Sequence, residues 1–172
     1  DLFTSLDDAR TWGIESLQLL SDYFRMEDPS SFEPDELEMD LTVEVGTMTI
    51  RGILDRMERV TDVDANGDER ELLVITDYKT GKAPRPQYQD KPMFQMRFYA
   101  LVLWRSRGIV PKVLQLIYLG SQEVLRYEPD EADLRATERQ VRAVAAAIAR
   151  AEATQDFRPS PSRLCDWCEH QS

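Results

Sequence analysis

Leu72-Leu73-Val74-Ile75-Thr76-Asp77-Tyr78-Lys79-Thr80-Gly81 is an unbroken apolar run that ends in an acid and a lysine. A strand whose apolar residues do not alternate is buried on both faces, so this run predicts an interior strand with Asp77 emerging at its end. A second short stretch, Gly52-Ile53-Leu54-Asp55-Arg56, places an aspartate 22 residues upstream of Asp77. Between them the acidic segment 62–68 contains Asn66-Gly67, a strong signal for a hairpin turn. Antiparallel pairing through that turn sets Asp55 and Asp77 side by side. Asp77 and Lys79 are two residues apart and share one face of an extended strand.

Working outward, residues 40–60 are rich in Val, Ile, Thr and Met around Gly46, the composition of a hairpin whose second arm carries Asp55. Ahead of it Ala9, Trp12, Leu17, Leu20, Tyr23 and Phe24 recur at helical spacing, and 26–34 breaks the pattern with two prolines and several acids. After Pro84 and Pro86, Asp90 is placed to cap a helix with Pro92 in its first turn, ending near Gly108. Gln95 and Tyr99 then share a helical face. Residues 112–119 read as another buried strand, 120–122 as a turn, 124–127 as a short returning strand, and Asp130 opens a long helix with Leu134, Val141 and Ile148 every seventh residue. The order of helix, three strands, helix, two strands and helix predicts an α/β fold, a central mixed β-sheet flanked by helices.

The 172 residues fit one domain of ordinary globular composition. No run approaches the ~20 apolar residues of a membrane span, and no signal-like segment follows Asp1, which points to the cytoplasm and to no membrane partner. The net charge of −11 argues at first against a nucleic-acid partner. Its distribution softens that argument, because residues 79–112 hold eight cations and one acid, Asp90. A basic segment beginning at Lys79 suits a phosphate-tracking groove; the alternative is solvated charge on a helix surface.

Two carboxylates and a lysine gathered by paired strands are the minimum for metal-assisted phosphodiester hydrolysis. The metal needs hard oxygen ligands, and the attacking water needs help in losing a proton. The same spacing puts the Tyr78 carbonyl where a metal can take it as a ligand. Lys79 is then placed to orient or deprotonate a water, or to stabilise charge building on the phosphate. Taken singly, these residues are also what strand ends and solvated turns use.

Together they resemble the PD-(D/E)XK nuclease superfamily over about residues 38–168, and specifically its RecB-like exonuclease branch, related to the CRISPR adaptation nucleases with an iron-sulfur cluster. The branch has a Gly-x-x-Asp-Arg strand, an Asp-Tyr-Lys-Thr-Gly strand and a Gln-x-x-x-Tyr helix in this order. Here they are matched by Gly52 to Arg56, Asp77 to Gly81, and Gln95 with Tyr99. The resemblance implies a restriction-endonuclease-like core forming a single domain over 1–172. It assigns Asp55, Asp77 and Lys79 to catalysis, and Asp55, Asp77 and the Tyr78 carbonyl to Mg²⁺ or Mn²⁺. Gln95, Tyr99 and Arg56 become support on the DNA side. The implied activity is a metal-dependent deoxyribonuclease, an exonuclease of repair or recombination, with DNA and a helicase subunit as partners. Glu38 is a further candidate acid outside the chosen set.

Members of the branch usually carry a histidine ligand in an early helix, whereas the one histidine here is His170. The expectation is that the helix bearing the ligand lies upstream of Asp1, with Glu15 as the substitute otherwise. Cys165-Asp166-Trp167-Cys168 is half of a ligand set. By resemblance it belongs to a 4Fe-4S cluster whose other cysteines lie beyond this sequence; zinc, redox chemistry and plain thiols are the alternatives. Two rival classes remain: a catalytically silent DNA- or helicase-binding module derived from a nuclease, and a redox or metal protein built on Cys165 and Cys168. The first leaves the trio of Asp55, Asp77 and Lys79 without a purpose, the second leaves the strand aspartates unexplained.

Overall fold

The computed structural model describes residues 2–63 and 65–167. Its elements follow the expected order: α1 (Leu6–Met26), β1 (Glu36–Val45), β2 (Met48–Val63), β3 (Glu69–Lys79), α2 (Asp90–Arg107), β4 (Val113–Tyr118), β5 (Glu123–Tyr127) and α3 (Glu131–Thr154). The five strands form one sheet in the order β1-β2-β3-β4-β5. Neighbours are antiparallel except β3 and β4, which are parallel and joined through α2. This is the mixed α/β sheet expected, consistent with a restriction-endonuclease-like core.

The turns are where the sequence places them. Gly46 and Gly67 adopt φ of 68° and 88°, left-handed values that L side chains resist, and so close the two hairpins. Gly108, at φ 73°, ends α2 and donates its N–H to Trp104 O at 2.8 Å. At the other end of α2 the N-cap is Gln89, with no side-chain cap bond, and Asp90 is the first helical residue rather than the cap expected.

The core is built from α2 against the sheet: Leu54, Ile75, Met96, Leu101, Leu103, Leu114 and Leu116 are fully buried. Each such side chain contributes about 1.5–3 kcal/mol of burial. By contrast α1 is held by polar groups. Ser5 caps it through Asp8 N at 3.1 Å, and the buried Asp22 accepts from Gln18, Arg25 and, across the chain, Gln122. Its apolar stripe is exposed at Trp12, Leu17, Leu20 and Phe24, so helical periodicity located the helix without identifying a buried face.

Contacts group the chain into two compact units, Asp1–Glu138 and Arg139–Ser172. The first holds the sheet, α1, α2 and the opening turns of α3, where Leu134 is buried and Glu138 pairs with Arg105. The second holds the rest of α3, with Val144 and Ile148 exposed, and the single 3₁₀ turn Arg163–Trp167. No helix among the described residues is long and apolar enough to cross a membrane.

Gly120 shows how tightly the end of β3 is tied down. Its N–H reaches Gly81 O at 3.1 Å, and a Cβ built on it stands 2.7 Å from Thr80 O and 2.9 Å from Gly81 O. Both are backbone atoms that cannot swing aside. Gly120→Ala is therefore expected to lower stability by about 1–3 kcal/mol, read from the midpoint of urea unfolding at unchanged slope.

Candidate active site

The β2–β3 ladder runs from Val63↔Glu69 to Arg56↔Thr76, and one further step of the same register sets Asp55 opposite Asp77. Asp55 is half-buried and Asp77 is buried. The Tyr78 N–H donates to Asp55 Oδ2 at 2.9 Å, so the strand that carries Asp77 also holds Asp55. On the other side of β3, Leu73 O accepts from Lys112 N, and the polar groups of successive residues in a strand alternate in direction. Tyr78 thus turns both its N–H and its C=O toward β2 and Asp55.

Lys79 leaves β3 on the same face as Asp77, and its ammonium stands against Asp77 Oδ2 as an ion pair. That oxygen is buried and receives no hydrogen bond of ordinary geometry. Burial is the main cause that pushes the Asp77 carboxyl up from its usual range; Asp55 adds to it and Lys79 opposes it. For Lys79, burial disfavours the charge, but the bond to Asp77 and the fields of Asp77, Tyr99 and Asp55 outweigh it and hold the pKa above the ordinary lysine value.

α2 closes this face. Gln95 Nε2 donates to Tyr99 Oη at 2.6 Å, and the Tyr99 ring lies where a Cβ on Gly52 would approach to 3.1 Å, which explains the glycine of the first motif. Arg56 has the same parity as Gly52 along β2, yet it lies on the opposite face, with Tyr78, Glu27 and Phe32. The alternation of β2 therefore breaks between Gly52 and Arg56. The partner strand shows where: Glu38, the residue facing Asp55 between the pairs Leu37↔Arg56 and Met39↔Leu54, has φ 48°. Irregularities of this kind re-aim a side chain next to a site. Here the break leaves Leu54 in the core while Asp55 is aimed at Asp77.

The placement of Arg56 departs from the expectation that it supports the DNA side. Only 3% exposed, it donates to Glu27 Oε1 and Oε2 at 2.8 and 3.2 Å and to Glu58 Oε1 at 3.0 Å, and its guanidinium lies 4.2 Å from the Phe32 ring centre. Glu15 is exposed on α1. Cys165 is exposed in the turn Arg163–Trp167, and Cys168 and His170 lie outside the described residues. Among the described residues no three His, Cys, Asp or Glu side chains gather into a metal-binding group. Two residues at the site carried no sequence signal. Tyr118, paired with Lys79 across the parallel ladder, is buried and feels both Lys79 and Asp77. Glu27, in what reads as an acidic loop, bonds both Arg56 and Tyr78.

The basic segment is divided by the fold. Arg105, Arg107 and Lys112 pair with Glu138, Glu36 and Glu128, and Arg97 lies over the Tyr127 ring. Lys82, Arg85 and Lys91, in the loop after β3 and the first turn of α2, have no ion-pair partner among the described residues. Two hollows of about 410 Å³ lie on the sheet away from Asp55, Asp77 and Lys79, so the carboxylates stand outside both.

Over residues 6–172 the sequence matches the PD-(D/E)XK nuclease superfamily. The chain belongs to that superfamily. Membership points to nuclease chemistry, for which divalent metals are typical. No curated protein matches the sequence. Among solved structures, the crystal structure of SSO0001 aligns at 18% identity and a TM-score of 0.43, over 90% of this chain and 66% of that one.

The donor set fits a hard divalent cation in part: two carboxylates on adjacent strands, one carrying a buried oxygen short of donors, and a backbone carbonyl turned the same way. Burial of the ionised Asp77 carboxylate works against the fold. Because the folded-state pKa of Asp77 is raised above 3.8, the cost of its ionisation is absent below that pH and complete once pH has passed the raised value. Asp77→Asn is therefore expected to melt at a higher temperature than wild type at neutral pH in chelator, with the gap closing toward pH 4. A lower melting point for the variant would mean that the ion pair with Lys79 outweighs burial.

Proposed function

We propose that this chain is a Mg²⁺- or Mn²⁺-dependent deoxyribonuclease of the RecB-like branch, an exonuclease of DNA repair or recombination, with Asp55, Asp77 and Lys79 as its catalytic residues. The observation that carries the reading is the convergence of these three side chains, from two neighbouring strands, on the face closed by Gln95 and Tyr99. The family match from residue 6 to residue 172 supports treating the chain as one nuclease domain.

Asp55, Asp77 and the Tyr78 carbonyl are the groups that would hold the cation, which would supply charge neutralisation at the phosphate and a more acidic water. The chain's own residues do the rest. The Tyr78 N–H fixes one oxygen of Asp55 and leaves the other available. Lys79, held by Asp77, offers its ammonium to the attacking water or to the phosphoryl oxygen on which charge builds. Gln95 and Tyr99 present linked polar tips on the DNA side, and Lys82, Arg85 and Lys91, without ion-pair partners among the described residues, offer their charge to the backbone leading to the site.

Degradation of end-labelled linear single- and double-stranded DNA with Mn²⁺ tests the reading. Wild type is expected to cut and Lys79→Ala to lose on the order of 10²-fold or more in rate. DNA binding without cutting in any divalent metal would identify the silent binding module instead. Mn²⁺ at a hundredfold excess over its Kd is expected to add about 2.7 kcal/mol to wild-type stability and nothing to Asp77→Ala, read from melting temperatures. Replacing Lys82, Arg85 and Lys91 together by Ala should weaken DNA binding and reduce the slope of log K against log salt by roughly two on single strands and nearly three on duplex. An unchanged slope would place the DNA elsewhere.

A further inference from the structure

Behind the carboxylates, on the other face of the sheet, lies a second charge cluster that the proposed chemistry does not use. Glu27 is the residue that caps α1, with its N–H on Tyr23 O at 3.0 Å. Its carboxylate accepts from both terminal nitrogens of Arg56, at 2.8 and 3.2 Å, and from the Tyr78 hydroxyl at 2.5 Å. Arg56 and Tyr78 also touch each other, and the Tyr23 ring meets the Tyr78 ring edge-on at 5.8 Å. Arg56 follows Asp55 in β2, and Tyr78 lies between Asp77 and Lys79 in β3. One carboxylate therefore ties together the two residues whose neighbours face the site.

The tie falls where the backbone ladder gives out. The β2–β3 pairs end at Arg56↔Thr76, one step short of the carboxylates, and β2 there passes through the break in alternation opposite Glu38. Beyond the last pair, the separation of Asp55 and Asp77 rests on the Tyr78 N–H bond to Asp55 and on whatever fixes Arg56 and Tyr78 from behind.

We propose that Glu27 is a positioning residue of the nuclease site, setting the separation of Asp55 and Asp77 by holding Arg56 and Tyr78 from the opposite face of the sheet. The proposal rests on the nuclease reading. Partners that orient ligands in this indirect way typically contribute 10–100-fold to metal affinity or activity.

Glu27→Gln is the informative variant. Glu58 still neutralises Arg56 at 3.0 Å, so no unpaired buried cation results. Glu138→Gln, which weakens the pair with Arg105 far from the site, is the stability control. Melting temperature, Mn²⁺ affinity by calorimetry, and kcat and KM on end-labelled linear DNA are measured for both. Glu27→Gln should bind Mn²⁺ on the order of tenfold more weakly and lose kcat to a similar degree with KM for DNA unchanged, while Glu138→Gln lowers only the melting temperature. Tyr78→Phe, which keeps the backbone and removes one hydroxyl, should show the same pattern and combine with Glu27→Gln less than additively. It carries the test if Glu27→Gln does not fold. Loss of melting temperature alone in these variants, with wild-type kcat and Mn²⁺ affinity, overturns the positioning role and leaves the nuclease reading standing. Wild type that neither binds Mn²⁺ nor cuts DNA overturns both.

Discussion

The site depends on the register of β2 against β3. A shift of one residue would send Asp55 to the far face and Arg56 to the near one, because side chains alternate with period two. The register is fixed at one end by the Gly67 turn and along its length by Met57 and Ile75, which are buried opposite one another. At the far end the ladder stops one step before Asp55 and Asp77. Control then passes from backbone pairing to the bond between Tyr78 N–H and Asp55 and to the cluster around Arg56.

Alternation also divides the labour between adjacent residues. Asp55 and Asp77 face α2, while Arg56 and Tyr78, their immediate neighbours, face the end of α1. Both faces bury charge, with different consequences. Behind the sheet one guanidinium is held by two carboxylates, Glu27 and Glu58, together with Phe32 and Tyr78, and its terminal nitrogens have defined partners. Such a cluster contributes little net stability, since desolvation offsets attraction, but it is costly to break on one side only. In front, Asp77 and Asp55 face each other with Lys79 as the sole cation against Asp77 among the described residues, and Asp77 keeps a raised pKa. On the nuclease reading, an added positive charge in front would relieve the burial that raises the Asp77 pKa.

The central elements were legible in the sequence because each has a local cause. Val74 and Ile75 mark a doubly buried strand, Asn66-Gly67 and Gly108 need left-handed backbone or close a helix, and Asp77 with Lys79 share a face by parity alone. The residues that escaped have causes that are not local. Glu38 is a candidate acid, but its left-handed backbone opposite Asp55 has no local sequence signal. Glu27 is one of several acids in a loop and gains its role from residues 29 and 51 positions away. Arg56 stands next to the candidate aspartate Asp55, which invites a role beside the substrate; only the side of the sheet on which it emerges shows that it is buried with Glu27 and Glu58. For α1, periodicity identified a helix and its apolar stripe, but not that the stripe would be exposed while Asp22 and Tyr23 make the contacts.

On the nuclease reading an acidic chain meets a polyanion, an electrostatic conflict that the distribution of ion pairs would reduce. Acids from distant parts of the sequence are spent on the cations farthest along the basic segment: Glu36 on Arg107, Glu128 on Lys112 and Glu138 on Arg105. Cations near the end of β3 are left without such partners among the described residues, in Lys82, Arg85 and Lys91. Exposed charges farther apart than about 8 Å are largely screened in physiological salt, so a phosphate close to the surface responds to the charges nearest it more than to the net charge. On the nuclease reading, the phosphate backbone would then meet a positive approach beside Lys79 despite the net −11 of the chain, and the acids elsewhere would discourage binding that misses the site.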